Sequence, residues 1–353
     1  MGNNEHTLPS DRIVGQPKPN GRTQVLAHDR EAYGKYIVAL LVSVACCFAL
    51  YYAALLSLKA TGNLPPPAFS NSLCTDEKLS FMREHPSSSP NLLAIGSSVA
   101  LLHFDGATIA RLAPGTRLLN GGFCGLSANQ SVFAANWLLD RQPTIKHVVM
   151  LLAPQDIAGC RAKATQFFDR HDVDAFVYEG RSPWLYYMRY FAPRSLLRSA
   201  QTVKAQRANL IPFEPLVFDS YGAKPLATEL TRDMSYGLPS AIEPQCLEAI
   251  RSLGQRLRSE GRRLTLVTTP LHPDWQAEVN QAGPYLKEFD QSLQALSQSI
   301  GARYWNAAAE WVTPRASFTD AIHLRWSAAQ QFSAELSRQV LKERTATDQG
   351  TSQ

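Results

Sequence analysis

The chain has 353 residues, 45% of them hydrophobic and 18% charged, which excludes a disordered protein and a single small module. Its 35 Lys and Arg residues exceed its 30 Asp and Glu residues by only five, and this mild surplus indicates no nucleic-acid partner. The six cysteines contain no C-x-x-C pair, so neither a zinc ribbon nor a thioredoxin motif is present. We expect no metal and no cofactor, and a fold that depends on packing.

One apolar segment near the amino terminus predicts a membrane anchor. The 23 residues 36–58 carry no charge and lie between Lys35 and Lys59. As a helix they would reach about 34 Å, enough to cross a bilayer core. The 20 residues before the segment hold four Lys or Arg, against two in the 20 after it, which favours a cytoplasmic amino terminus. We therefore predict a single-pass protein of the inner (cytoplasmic) membrane, with residues 1–35 as a disordered cytoplasmic tail and the rest periplasmic or extracytoplasmic.

After the anchor the sequence predicts a linker over 59–90, a domain over 91–343 and a disordered tail over 344–353. Within the domain, apolar runs alternate with amphipathic stretches, which is typical of a three-layer α/β/α sandwich with a mostly parallel sheet. Strands are predicted over 92–95, 117–119, 148–152, 264–268 and 303–305, and helices over 99–112, 127–139, 244–259, 283–300 and 327–341. The alternation stops over 160–241, which we interpret as a helical, basic and aromatic insertion.

The first two predicted strands are each followed by residues that could do chemistry, since ligands in such sheets collect at the carboxyl ends of strands. Ser97 and Ser98 follow the first strand, and a serine at such a turn has an exposed hydroxyl and an amide at a helix amino terminus. Such a serine can equally be an ordinary helix cap. The glycine-rich stretch from Asn120 to Gly125 follows the second strand, and its amides could bind an oxyanion or simply form a turn.

Two further groups complete the candidate chemistry. Gln155, after the third strand, brings an amide side chain to the same edge of the sheet. Asp320 and His323 precede the last helix, three residues apart, so that a carboxylate could orient an imidazole that accepts a serine proton. Taken alone, an Asp-x-x-His pair is more often two solvated polar residues on the protein surface.

The order of these four blocks resembles the SGNH (GDSL-like) hydrolase superfamily, and the resemblance covers about residues 90–340 without the insertion. It implies a flavodoxin-like domain in which Ser98 is the nucleophile, His323 the base and Asp320 the residue that orients it. It also implies an oxyanion hole formed by the amides of Ser98 and Gly125 and by Gln155. Gln155 stands where the family has Asn, and its extra methylene moves the amide by roughly 1.5 Å.

Three other residues are candidate substrate contacts: Ser97, where the family usually has Asp, then Asn120, and His272 after the fourth predicted strand. His103 is expected on the surface of the helix that follows Ser98. Residues 169–174 hold acidic residues and one histidine, which we interpret as an ordinary acidic loop.

The Gly-Ser-Ser block, the single anchor and Asp-x-x-His together resemble membrane-anchored SGNH-like proteins of teichoic-acid D-alanylation and polysaccharide O-acetylation. The resemblance implies a serine acyltransferase or esterase acting on acyl esters of a cell-envelope polysaccharide or glycopolymer, beside a membrane-bound O-acyltransferase. The alternative is a catalytically weak or inactive scaffold that binds the acyltransferase or the polymer.

The surplus of positive charge lies in the insertion. Residues 181–207 hold six basic residues, no acid and several aromatic rings. Such a face suits a membrane surface, an anionic polymer or a partner protein, or it is a helix pair that packs its rings on the domain. An extracytoplasmic location would also permit one or two disulfides among four cysteines, although the sequence leaves open which pair forms and whether all stay free. These cysteines are Cys74, Cys124, Cys160 and Cys246.

Overall fold

The computed structural model describes residues 21–215, 217–234 and 241–341, with side chains from residue 32 onward. It divides into two compact units, Met1–Gly62 and Asn63–Gln353. The predicted carboxy-terminal tail lies outside the described residues.

The first unit is one helix, α1 (Gly21–Ala60). Its part from Ala32 to Ala60 contains an 18-residue window with a mean hydropathy of 2.3 and is, by length and composition, sufficient to cross a membrane. The predicted span lies inside this stretch. Because the helix begins at Gly21, the prediction of a disordered tail is wrong for residues 21–35. Residues 1–20 are outside the described part of the chain.

The second unit is built on a sheet of five strands, β1 (Leu92–Gly96), β2 (Leu118–Asn120), β3 (His147–Leu152), β4 (Arg263–Thr268) and β5 (Arg303–Trp305). Their order is β2-β1-β3-β4-β5, and every neighbouring pair is parallel. Every residue of β1, β2 and β3 is buried, as expected for strands covered on both faces. The predicted α/β class and parallel sheet are confirmed.

Helices cover both faces of this sheet. They are α2 (Leu73–Glu84), α3 (Ser98–His103), α4 (Gly106–Leu112), α5 (Ala128–Arg141), α6 (Arg170–Val177), α7 (Pro183–Arg189), α8 (Pro193–Arg207), α9 (Pro244–Ser259), α10 (Pro273–Ala282), α11 (Tyr285–Ile300), α12 (Ala307–Glu310) and α13 (Trp326–Leu336). Alternate residues of β1 enter two cores: Leu93 and Ile95 pack with α5, α9 and α11, whereas Leu92 and Ala94 pack with α3, α10 and α13. This two-sided packing makes the three layers.

Two predicted boundaries change. The segment 59–90 is not a linker throughout, because α2 lies within it and buries Leu79 and Met82 in the core beside Phe69. The compact unit therefore starts at Asn63. The helix predicted over 99–112 is two helices, since Asp105 caps the start of α4 with its side chain.

The four cysteines of the second unit form two disulfides, Cys74–Cys124 and Cys160–Cys246. The first ties α2 to the loop after β2. The second ties the segment after β3 to α9. Of the alternatives left open by the sequence, the structure therefore has two disulfides, with all four of these cysteines paired.

Candidate active site

Ser98 is the first residue of α3, directly after the carboxyl end of β1. The turn between them requires glycine at position 96: its φ is +145°, and a Cβ there would lie 2.3 Å from the carbonyl oxygen of Leu151. The tight turn leaves the Ser98 side chain half-buried at the edge of the sheet.

Ser98, His323 and Asp320 form a continuous hydrogen-bonded chain. The Ser98 Oγ lies 2.8 Å from Nε2 of His323, although the two residues are 225 positions apart. Nδ1 of His323 lies 2.8 Å from Oδ2 and 3.1 Å from Oδ1 of Asp320. These are the separations required of a nucleophile, its base and the carboxylate that orients the base.

Asp320 is prepared for this role by its surroundings. Its side chain is buried, and Oδ1 accepts hydrogen bonds from the amides of Ile322 at 3.0 Å and His323 at 2.8 Å. Burial alone would raise the pKa of Asp320. The hydrogen bond and charge of the His323 ring, with the two amides, hold that pKa below its usual value instead. Asp320 is therefore ionised at neutral pH and can fix the tautomer of His323.

The loop after β2 approaches α3 closely. Asn120 is fully buried; its Nδ2 donates to the carbonyl oxygen of Ala100 at 2.9 Å and its Oδ1 accepts from the Gly122 amide at 2.9 Å. A Cβ on Gly122 would lie 2.5 Å from the Leu101 nitrogen, so only glycine fits. The loop is thus fixed against the helix that carries the serine.

Gly125 lies further along this loop, exposed and with φ +69°. It follows Cys124, so the Cys74–Cys124 disulfide holds the loop at this point. In the part of the chain that the structure describes, neither its amide nor that of Ser98 donates to another backbone group. Both amides are therefore available to a ligand.

Gln155 lies in the short 3₁₀ turn Pro154–Ile157 after β3. Its Nε2 and Oε1 are both buried, and neither has a hydrogen-bond partner among the described residues. A buried amide without a partner costs free energy in the protein alone.

All three candidate substrate contacts form hydrogen bonds within the protein. Ser97 is buried, and its Oγ donates to Oδ2 of Asp156 at 3.1 Å. Asn120 uses its amide within the protein, as described above. His272 is 8% exposed and caps α10, where its Nδ1 accepts from the Asp274 amide at 3.2 Å. None of the three lines the cavity that contains Ser98.

The prediction that His103 lies on a helix surface is wrong. The ring is fully buried; its Nε2 accepts from the Leu324 amide at 2.9 Å and its Nδ1 lies 3.2 Å from Oγ1 of Thr269. Burial lowers the pKa of His103 well below its usual value, so the ring is neutral. It supports the backbone directly after His323. The apolar neighbours of His103, Leu102 and Phe104, were the signal for this burial.

The acidic stretch before and within α6 has a structural role. Asp172 pairs with Arg189 at 2.8 Å, and Asp174 pairs with Arg141 at 2.5 Å and accepts from Trp137 at 2.7 Å. Over the described residues, no group of three His, Cys, Asp or Glu side chains is placed to hold a metal ion.

Ser98 and His323 open into a cavity of about 500 Å³. Part of its wall comes from the predicted insertion, through α8 and through Phe213, Glu214, Lys224, Leu226 and Arg232. Of the basic residues counted in the sequence, Arg198 lines this cavity. The insertion is thus part of the site as well as of the surface.

The sheet order and the hydrogen-bonded side chains define an α/β protein with a Ser–His–Asp triad at the carboxyl edge of its sheet. The solved structures to which this chain is similar include Est24, a carbohydrate acetylesterase from Sinorhizobium meliloti, with 14% identity, 72% of this chain and 99% of that chain covered, and a TM-score of 0.35. An inhibitor-bound aryl esterase of M. smegmatis has 12% identity, the same two coverages and a TM-score of 0.35. A catalytic mutant of Axe2, an acetylxylan esterase from Geobacillus stearothermophilus, has 11% identity, coverages of 72% and 95%, and a TM-score of 0.35.

Likenesses of this size identify no substrate for this chain. No family model and no curated protein matches the sequence.

Proposed function

We propose that this protein is an SGNH-type serine ester hydrolase or acyltransferase. The observation that carries the proposal is the chain of hydrogen bonds from Ser98 through His323 to Asp320. The three residues come from opposite ends of the domain, and a serine, an imidazole and an ionised carboxylate in this order constitute an activated nucleophile.

The reaction would proceed in two halves. Ser98 Oγ attacks the carbonyl carbon of an acyl ester while Nε2 of His323 takes the serine proton. When the tetrahedral intermediate collapses, His323 returns that proton to the leaving alkoxide oxygen and the acyl group stays on Ser98. Water or a sugar hydroxyl then attacks the acyl carbon, giving its proton to His323, and Ser98 leaves with that proton.

The developing negative charge would be met by three groups, of which Ser98 and Gly125 line the cavity and Gln155, in the turn after β3, does not. The amides of Ser98 and Gly125 have no backbone acceptor among the described residues, and the Gln155 amide is buried without a partner. Donors that gain a partner only in the transition state lower the barrier without strengthening the ground state. The pattern of unused donors supports an oxyanion hole.

The site of action would be the periplasmic face of the inner membrane or its equivalent. Two disulfides support an oxidising compartment, and the apolar helix Ala32–Ala60 supports an anchor. The substrate would be an acyl ester of a cell-envelope polysaccharide or glycopolymer, handled beside a membrane-bound O-acyltransferase. The polymer as substrate is supported by the hydroxyl, amide and guanidinium side chains that α8 contributes to the cavity beside Ser98.

Rapid mixing of the full-length protein in detergent with p-nitrophenyl acetate tests the enzymatic function. We expect a burst of nitrophenol and an acetylated Ser98 detectable by mass spectrometry. Ser98→Ala and His323→Ala should each lower turnover by about 10³-fold or more. His85→Ala, at an exposed histidine that does not line the cavity of Ser98, is the matched control and should behave as wild type.

A folded wild-type protein without a burst, or a burst that survives in Ser98→Ala, would contradict catalysis. That result would favour the scaffold that binds an acyltransferase or polymer.

A further inference from the structure

One face of α8 forms a polar wall of the cavity that holds Ser98. The residues it contributes are spaced three and four apart, which places them on one side of a helix. They are Ser195, Arg198, Ser199, Thr202 and Gln206. None is apolar, although the same helix buries Leu196, Ala200 and Val203 on the domain.

Two of these side chains have unused hydrogen-bonding capacity. Gln206 is 6% exposed, and its buried Oε1 has no partner in the described part of the chain. Arg198 forms no ion pair with any described residue, whereas Arg189 and Arg181 of the same insertion pair with Asp172 and Glu179. The wall therefore offers a buried acceptor and an uncompensated cation.

A second cation, Arg232, also lines the cavity. Arg232 donates from Nη2 to the Phe213 carbonyl oxygen at 2.9 Å, and its guanidinium lies 4.5 Å from the centre of the Phe213 ring. Lys224 is paired with buried Glu77 at 3.0 Å, so its charge is compensated.

The cavity also has two acids. Asp320 is bonded to His323, and Glu214 is exposed. Arg198 and Arg232 thus line the cavity together with one exposed carboxylate, Glu214. The net positive charge of these three side chains favours binding of an anion.

We propose that this cavity binds a polyhydroxylated anion, a glycan or polyol chain that carries a carboxylate or phosphate, and that Arg198 determines this specificity. The inference rests on the proposed function, because such a chain would be the acyl acceptor or the acylated substrate of Ser98. A guanidinium forms paired hydrogen bonds with a carboxylate or phosphate. The serine, threonine and glutamine side chains of α8 match sugar hydroxyls in both donating and accepting.

Binding is measured by calorimetry on full-length Ser98→Ala protein in detergent, so that no turnover interferes. The probes are tri-galacturonate, a glycerol-phosphate trimer and neutral maltotriose. We expect at least one anionic probe to bind about tenfold or more tightly than maltotriose, and the stronger of the two identifies carboxylate or phosphate. Arg198→Gln should remove about tenfold or more of that affinity. Arg194→Gln, on the same helix but not lining the cavity, should leave it unchanged.

Equal affinity for neutral and anionic probes, no binding of any probe up to 10 mM, or equal losses in the two arginine variants would overturn the proposal. Melting temperatures of all variants show whether they are folded. The nitrophenyl acetate burst is a separate readout, so anion binding without a burst would remove the enzymatic function while keeping the site. A burst without anion binding would do the reverse.

Discussion

Ser97 donates a hydrogen bond from its Oγ to Oδ2 of Asp156 at 3.1 Å, and this contact joins the turn after β1 to the turn after β3. The same oxygen accepts from the Ala153 amide at 2.9 Å. Ser97, which directly precedes the nucleophile, is thus fixed by a hydrogen bond to Asp156 and does not line the cavity. Burial raises the pKa of Asp156 to about 7, against the lowering effects of the Ala153 and Ser97 hydrogen bonds and the charge of Lys163.

The raised pKa of Asp156 makes stability depend on pH. The folded protein keeps a proton on this carboxyl up to about pH 7, whereas the unfolded chain releases it near pH 4. The contribution of Asp156 to the free energy of unfolding therefore falls as pH rises from about 4 to about 7. In Asp156→Asn this dependence disappears, so urea unfolding should show the variant gaining on wild type by at most about 1.4 kcal/mol per pH unit over that range.

Asp140→Asn is the contrasting control. Burial alone would raise the pKa of Asp140, but hydrogen bonds and charge from Arg170 and Arg256 lower it. The ionised Asp140 side chain therefore stabilises the folded state above its usual pKa, and this stabilisation is lost in acid. This variant should lose stability relative to wild type at neutral pH. A flat difference between Asp156→Asn and wild type from pH 4 to pH 7 would contradict the raised pKa.

Gln155→Met should separate stability from catalysis. The amide has no described partner in the free protein, and methionine has a similar length without polar atoms. We expect the free energy of unfolding to stay the same or rise by about 1 kcal/mol, while turnover falls about 100-fold because an oxyanion donor is lost.

Gln155→Asn, which keeps an amide, should lose less activity than Gln155→Met. Parallel urea titrations and nitrophenyl acetate rates measure both quantities. Full activity in Gln155→Met would remove Gln155 from the oxyanion hole.

The two disulfides should differ in their effect on turnover. They close segments with sequence separations of 50 and 86. Because the entropy of loop closure depends only on the logarithm of loop length, removing either disulfide should cost about 4 kcal/mol of stability. Cys124 precedes Gly125 and lines the cavity, whereas Cys160 and Cys246 do not. Cys74→Ser/Cys124→Ser should therefore lower turnover per folded molecule, and Cys160→Ser/Cys246→Ser should not. Equal turnover in the two folded double variants would show that the first bond does not position Gly125.

His103→Leu should weaken both the fold and the site. It leaves the Leu324 amide without its acceptor in a buried position, which costs about 1–3 kcal/mol. Because that amide directly follows His323, we expect a lower kcat with little change in KM. Thr269→Val removes only the partner of Nδ1 and should have a smaller effect on both. A stable His103→Leu protein with wild-type kcat would show that His103 plays no positioning role.

The sequence by itself predicted the sheet, the three blocks that follow its first three strands, and the Asp–His pair before the last helix. Strand formation depends on nearby residues, so apolar runs such as 92–95 and 148–152 were visible directly. The carboxyl ends of parallel strands meet at one edge, and for this reason Ser98 could be associated with residues after other strands. The membrane-crossing length of α1 is likewise a property of consecutive residues.

Only the tertiary structure decided which distant groups meet. The pairing Cys74–Cys124, the contact of Ser97 with Asp156, the burial of His103 against Leu324 and the placement of α8 beside Ser98 all join segments far apart in the chain. Periodicity records which side of an element is apolar and says nothing of what covers it. Part of the cavity wall comes from the insertion, where the alternation of strands and helices is absent. Only tertiary packing therefore placed Arg198 in the cavity that Ser98 and His323 also line.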